Sequence, residues 1–114
     1  MKKVIIFVAL CLVLAAQAAY AHPPVRVVGY YEMPTKTLTV VVSHYVGNPE
    51  EHFINKILVK RGEEIIKDAA CDKQDNAATQ TRSWVIENIN SGDVLAISAY
   101  CNKGGDLTQE ITVE

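Results

Sequence analysis

The chain has 114 residues, with 11 lysines and arginines against 13 aspartates and glutamates, for a formal net charge of −2. This mild acidity argues against nucleic acid as a partner, because binding to phosphates needs a basic patch. A chain of this length forms one domain with a core of modest size, and small secreted domains often add disulfides or metals to such a core.

Residues 1–21 have the pattern of a secretory signal peptide. Lys2 and Lys3 form a basic start, residues 4–16 are apolar, and Ala19-Tyr20-Ala21 matches the A-x-A cleavage pattern. The apolar run is shorter than the roughly 18–20 residues of a membrane span, although an uncleaved anchor is the alternative. Cleavage after Ala21 predicts a periplasmic or secreted protein of residues 22–114, no longer attached to the membrane, whose formal net charge falls to −4 with the loss of the two lysines.

From residue 25 onward, apolar and polar residues alternate with a period of two, which predicts β-strands. In chain order the predicted strands cover 25–33, 37–46, 52–61, a short segment through 65–66, 81–89, 94–102 and 107–113. Residues 67–80 form a long connection without a pattern of its own, and a short helix there is the alternative. Seven short strands separated by Gly, Asn and Asp turns predict one all-β domain, an antiparallel β-sandwich of immunoglobulin-like architecture. The predicted core residues are Trp84, Val94, Leu95, Ile97 and Ala99.

Cysteine usage predicts one disulfide. Cys11 leaves with the signal peptide, so only Cys71 and Cys101 remain in the cleaved chain. Two cysteines in an oxidising compartment suggest a Cys71–Cys101 bridge, which would stabilise the fold by about 3–4 kcal/mol in the chain-entropy model.

The three histidines are candidate metal ligands. His22 opens "HPPV", His44 and His52 lie in "SHYVGNPEEHFI", and Cys101 lies in "AYCNKGG". Imidazole nitrogen and thiolate sulfur suit iron, copper or zinc, and a β-sandwich can bring loops that are distant in sequence to one end. For each histidine taken alone, the alternative is a solvated surface residue beside a strand.

Three motifs in order resemble a known family. His22-Pro23-Pro24-Val25 comes first, Glu50-Glu51-His52-Phe53-Ile54 leads a strand, and Tyr100-Cys101-Asn102-Lys103-Gly104-Gly105 follows near the end. This set resembles the iron-binding domain of the superoxide reductase, or desulfoferrodoxin, family. The resemblance spans most of the chain after residue 21, and that family has a seven-stranded immunoglobulin-like sandwich.

The resemblance implies a ferrous centre with four equatorial histidines and one axial cysteine thiolate. Such a centre takes electrons from a donor protein and reduces superoxide to hydrogen peroxide at an open sixth position. By position, His22, His52 and Cys101 match three of the five ligands, and His44 joins them if its loop is re-registered. A thiolate at Cys101 and a Cys71–Cys101 bridge exclude each other.

The chain departs from the family pattern at three positions. Gly104 stands where the pattern has a histidine, Val46 stands at another ligand position, and Ala21 precedes His22 where the family has a lysine. These departures argue against full superoxide reductase activity. Two alternatives follow, namely a metal-free binding module pinned by the disulfide, and a periplasmic copper or zinc protein. In the second, cleavage would give His22 a free α-amine beside its imidazole, a pair of nitrogens that suits Cu(II).

Overall fold

The computed structural model describes residues 22–114, so the predicted signal peptide lies outside the described residues. Seven strands, each antiparallel to its neighbours, form two sheets, as expected for a β-sandwich. They are β1 (Arg26–Glu32), β2 (Thr37–Ser43), β3 (Ile54–Arg61), β4 (Glu64–Ala70), β5 (Thr79–Val85), β6 (Val94–Cys101) and β7 (Asp106–Thr112). Within residues 22–114 the structure has no helix with the length and apolarity needed to cross a membrane.

One sheet has the order β1-β2-β5 and the other the order β4-β3-β6-β7. The central strands carry the core, since alternate residues of a strand point to one face. Three alternate residues of β2, Leu38, Val40 and Val42, are fully buried, and so are Ile57 and Val59 of β3. The all-β prediction is therefore confirmed for the described residues.

Strand β6 shows the same alternation and contains most of the residues that were predicted to form the core. Leu95, Ile97 and Ala99 are fully buried, as predicted, and Trp84 is partly buried against the same cluster. The prediction for Val94 is wrong, because this residue is 45% exposed. Val94 precedes the inward-facing Leu95, so the period of two places its side chain on the outer face.

The connection predicted at 67–80 is shorter than expected. Strand β4 continues to Ala70, which pairs with Lys56 of β3, and β5 begins at Thr79. Residues 71–78 contain no helix. The sequence did not indicate the second half of β4, because this strand lies at a sheet edge, is mostly exposed and lacks an apolar face.

Arg61 closes one end of the sandwich. Its guanidinium, at the end of β3, donates to the backbone carbonyl of Asn88 at 2.8 Å and to Oδ2 of Asp93 at 2.7 Å. Both partners lie in the connection from β5 to β6, which passes from the three-stranded sheet to the four-stranded one, so these bonds hold that connection at this end. The start of β1, the end of β2, the start of β3 and the end of β6 lie at the other end.

Candidate metal centre

Three imidazoles meet at the end of the sandwich opposite Arg61. His22 precedes β1, His44 directly follows β2, and His52 lies two residues before β3. Ring centroids are 4.9 Å apart for His22 and His44, 5.2 Å for His22 and His52, and 4.8 Å for His44 and His52. One nitrogen from each ring lies within 4.8 Å of the others, which makes this trio a group that could hold a metal ion.

His22 is placed by the segment that leads into β1. The amide of Val25 donates to the carbonyl of Ser43 at 2.9 Å, which extends the β1–β2 pairing toward the histidine. Pro23 packs against Gly105, where an added Cβ would lie 3.1 Å from three Pro23 atoms. His22 Nδ1 lies 3.2 Å from the carbonyl oxygen of Pro23, which can only accept a hydrogen bond.

His44 is fully buried, and each of its ring nitrogens has an oxygen acceptor nearby. Its Nδ1 lies 2.9 Å from Oε1 of Gln74, and its Nε2 lies 3.4 Å from the backbone carbonyl of His22. Its amide donates to the carbonyl of Ala78 at 2.9 Å. His44 lies eight positions before His52 in the sequence, and its ring is one of the three that meet at this end.

Gln74 is a site residue that the sequence did not reveal. It lies in the connection 71–78, is only 2% exposed and bonds both the ring and the carbonyl of His44. A glutamine in a polar loop has no motif that distinguishes it from a solvated one. No signal in the sequence pointed to it.

His52 is fixed by a turn and by Asn102. The amide of His52 donates to the carbonyl of Asn48 at 2.9 Å. Oδ1 of Asn102 accepts from the amide of Phe53 at 2.9 Å, and its Nδ2 donates to the carbonyl of Glu51 at 2.9 Å. Asn102 therefore joins the segment on both sides of His52 to the end of β6.

Cys101 contacts the trio through His52. Its Sγ is buried and lies 3.1 Å from Nε2 of His52. A nitrogen at about 2.1 Å and a sulfur at about 2.3 Å from one ion lie roughly 3.1–3.6 Å apart, depending on the angle between them. Two nitrogens on one ion lie about 3–4.2 Å apart. The 3.1 Å between Nε2 of His52 and the Cys101 sulfur lies within the first range. The group that could hold an ion consists of the three histidines, and Cys101 adjoins it through His52 alone.

The electrostatics of the centre favour a neutral His52. Partial burial lowers the pKa of His52 below its ordinary value, and the neighbouring His44, His22 and Lys103 lower it further. An imidazole binds a metal only in its neutral form. The lowered pKa keeps this form available at a lower pH than for an ordinary histidine.

The alternative disulfide is not present, since Cys71 and Cys101 are both free cysteines among the described residues. Topology separates them. Cys71 directly follows β4 and its amide donates to the carbonyl of Asn55 in β3, whereas Cys101 ends β6 on the other side of β3. Strands lie about 4.8 Å apart, so two spacings exceed the roughly 7 Å between Cα atoms that a bridge tolerates.

The two positions at which the resemblance would place further histidines hold other residues here, Gly104 and Val46. Gly104 lies in the β6–β7 turn with a φ of 112°, and Val46 is partly buried, with its amide bonded to the carbonyl of Ala77. The third departure, Ala21, lies outside the described residues. The described centre thus offers three imidazoles, with the Cys101 thiol in contact with one of them.

No protein-family model matches this chain, and no match was found among curated proteins.

Proposed function

We propose that this protein binds one transition-metal ion through His22, His44 and His52, with the Cys101 thiolate as a fourth ligand. The observation that carries the proposal is the meeting of three imidazoles from three separate segments within 4.8 Å. Chance surface histidines do not account for this arrangement well, because His44 is fully buried and these three are all the histidines the chain has.

The proposed metal is iron, with superoxide reductase-like redox chemistry. When bound as Fe²⁺, iron would supply the one electron, and solvent the two protons, that convert superoxide to hydrogen peroxide. In the chain itself, the three imidazoles would hold the ion and the Cys101 sulfur would donate electron density to it. An electron donor protein, which would return the electron, is the implied partner. Because Gly104 and Val46 stand at two family ligand positions, the proposal is a redox site with a reduced ligand set, and we expect activity below that of the family. Copper and zinc are the alternatives that the same donors accept.

The fold and the location are part of the proposal. An immunoglobulin-like sandwich is supported by the placement of the first, second and fifth strands in one sheet and of the third, sixth and seventh in the other. Strand β4 pairs with β3 rather than β5. Export to the periplasm or outside the cell is supported by the pattern of residues 1–21.

The test measures metal and thiols in the same sample. The chain is expressed with its signal segment, purified anaerobically, and examined for bound metal and, after unfolding without reductant, for free thiols. We expect one metal ion per chain and two free thiols. Two free thiols without metal binding to added Fe²⁺, Cu²⁺ or Zn²⁺ would overturn the proposal, and no free thiols would favour a disulfide-pinned binding module.

The two cysteines supply a matched pair of variants. Co²⁺ bound to a thiolate gives a sulfur-to-metal charge-transfer absorption, so we expect this band in the wild type and in Cys71→Ser, and its loss in Cys101→Ser. Equal bands in the two variants would exclude Cys101 as a ligand. Consumption of a superoxide pulse by the iron-loaded protein then tests the redox assignment separately from metal binding.

A further inference from the structure

Gln74 is a buried polar residue whose side-chain amide is fully hydrogen-bonded. Its Nε2 donates to the carbonyl of His44 at 2.7 Å and to the carbonyl of Asn76 at 3.0 Å. Its Oε1 faces Nδ1 of His44 at 2.9 Å. The backbone of Gln74 is also held in place, since its backbone amide donates to the carbonyl of Pro49 at 2.9 Å.

These partners fix the orientation of the amide. Backbone carbonyls only accept hydrogen bonds, so the group that faces the carbonyls of His44 and Asn76 must be the NH₂. A flipped amide would place its oxygen against two carbonyl oxygens, in a buried site where unmet polar groups cost about 1–3 kcal/mol each. Oε1 must therefore face the imidazole of His44.

The amide orientation in turn fixes the tautomer of the His44 ring. Because Oε1 has no hydrogen, Nδ1 of His44 must carry one and donate it. In the neutral ring, Nε2 then has a free lone pair. The carbonyl of His22 lies 3.4 Å from Nε2, a longer contact than the 2.9 Å from Nδ1 to Gln74. The ring centroids of His22 and His52 lie 4.9 Å and 4.8 Å from that of His44.

We propose that Gln74 is a positioning residue of the metal centre, which holds His44 as the Nδ1–H tautomer and so presents Nε2 to the metal. This inference rests on the proposed function for its metal. Histidine ligands commonly donate their second ring N–H to an oxygen acceptor, and loss of that acceptor typically lowers metal affinity 10–100-fold. Here the acceptor is a neutral amide, and the same amide also bonds the backbone of the histidine that it orients.

The chain offers a matched control in Gln80. Gln80 is fully buried in the same region. Its side-chain Oε1 accepts from the backbone amide of Asp75 at 2.7 Å, and its Nε2 donates to the carbonyl of Lys73 at 3.2 Å. Neither of these bonds involves a histidine. Gln74→Met and Gln80→Met each remove a buried amide and keep most of the side-chain volume. Both variants lose stability, and only the first removes the acceptor of His44.

The experiment reads the tautomer before any metal is added. Long-range ¹H–¹⁵N correlation spectra of the full chain, metal-free and at pH 8, show which nitrogen of His44 is protonated. Zn²⁺ titration of the same samples then gives the affinity. We expect Nδ1–H in the wild type and in Gln80→Met, a substantial Nε2–H population in Gln74→Met, and Zn²⁺ affinity 10–100-fold weaker in Gln74→Met alone.

Three results would overturn the inference. The first is protonation of His44 at Nε2 in the wild type. This result needs no variant, so it decides the question even if Gln74→Met does not fold. An unchanged tautomer and affinity in Gln74→Met, or an equal loss of affinity in Gln80→Met, would reduce Gln74 to a structural role. If the wild type binds no metal, the proposed function fails, and the metal-free spectra still show whether Gln74 controls the ring.

Discussion

The contact between Gly105 and Pro23 gives a sharp test of how the centre is positioned. Gly105 has a φ of 89°, and a Cβ added there would lie 3.1 Å from the N, Cα and Cβ of Pro23. Carbon atoms in contact ordinarily stay about 3.5–4.0 Å apart, so Gly105→Ala must displace a neighbour by several tenths of an ångström. The carbonyl of Gly105 is bonded to the amide of Cys101 at 2.9 Å, so we expect Pro23 to move, and His22 with it.

Gly104→Ala is the matched control. Gly104 has a φ of 112°, and nothing lies within 4 Å of the Cβ position. An L-residue in left-handed backbone costs about 1–2 kcal/mol, so both variants lose this amount of unfolding free energy. For a domain of this size, each kcal/mol lowers Tm by about 4–8 °C. Only Gly105→Ala adds the clash with Pro23.

Stability and affinity together decide the outcome. Thermal unfolding of the metal-free variants should show similar losses, somewhat larger for Gly105→Ala. Zn²⁺ titration of the folded proteins should show wild-type affinity in Gly104→Ala and a loss of roughly 10–100-fold in Gly105→Ala, by analogy with other residues that orient ligands. Equal affinities in the two variants would refute the claim that Pro23 and Gly105 position His22.

Three further predictions concern the sheets and the pH dependence. Gly29→Ala would drive its methyl into Cδ1 of the fully buried Ile97, so we expect a loss of about 1–3 kcal/mol in urea unfolding, partly relieved by adding Ile97→Val; strictly additive effects would contradict this. Burial lowers the pKa of His52 in the folded chain, so in acid the unfolded chain binds more protons than the folded one. The free energy of unfolding therefore has its full value above the ordinary histidine pKa of about 6.5 and falls as the pH decreases toward the lowered pKa of His52. Urea unfolding of the metal-free protein between pH 8 and 5 should show this slope, and His52→Asn should flatten it; an unchanged slope would assign it to other groups. Tyr31→Phe removes the 2.7 Å hydrogen bond to the carbonyl of Ile86 and should cost about 1 kcal/mol by the same assay, whereas an unchanged midpoint would show that water replaces the bond.

The sequence predicted the strands well where one face of a strand is buried. In β2, β3 and β6 the alternation of large apolar residues is strong, and the structure has strands there. Strand β4 was predicted too short, because an edge strand with exposed faces needs no apolar pattern. Val94 was misplaced because apolar character alone does not give the phase of the alternation.

For the candidate centre, the sequence could indicate which residue types are able to bind a metal, but not which of them lie close together. His22, His52 and Cys101 were named through motif order, and His44 only on condition of a loop register that local patterns do not encode. Gln74 could not be named, since its role follows from the path of the connection 71–78, and loop paths are set by tertiary contacts. The separation of Cys71 from Cys101 likewise follows from strand order, which the spacing of cysteines does not reveal.

The two ends of the sandwich are joined by different means. At one end Arg61 bonds Asn88 and Asp93 in the connection that passes from one sheet to the other. At the other end, His22 and His44 extend from the three-stranded sheet, and His52 extends from the four-stranded one. An ion bound by all three would therefore act as a cross-link between the layers, the mechanical role that a cystine plays in many exported domains. Binding of the ion would then stabilise the histidine end of the sandwich and leave the Arg61 end unchanged.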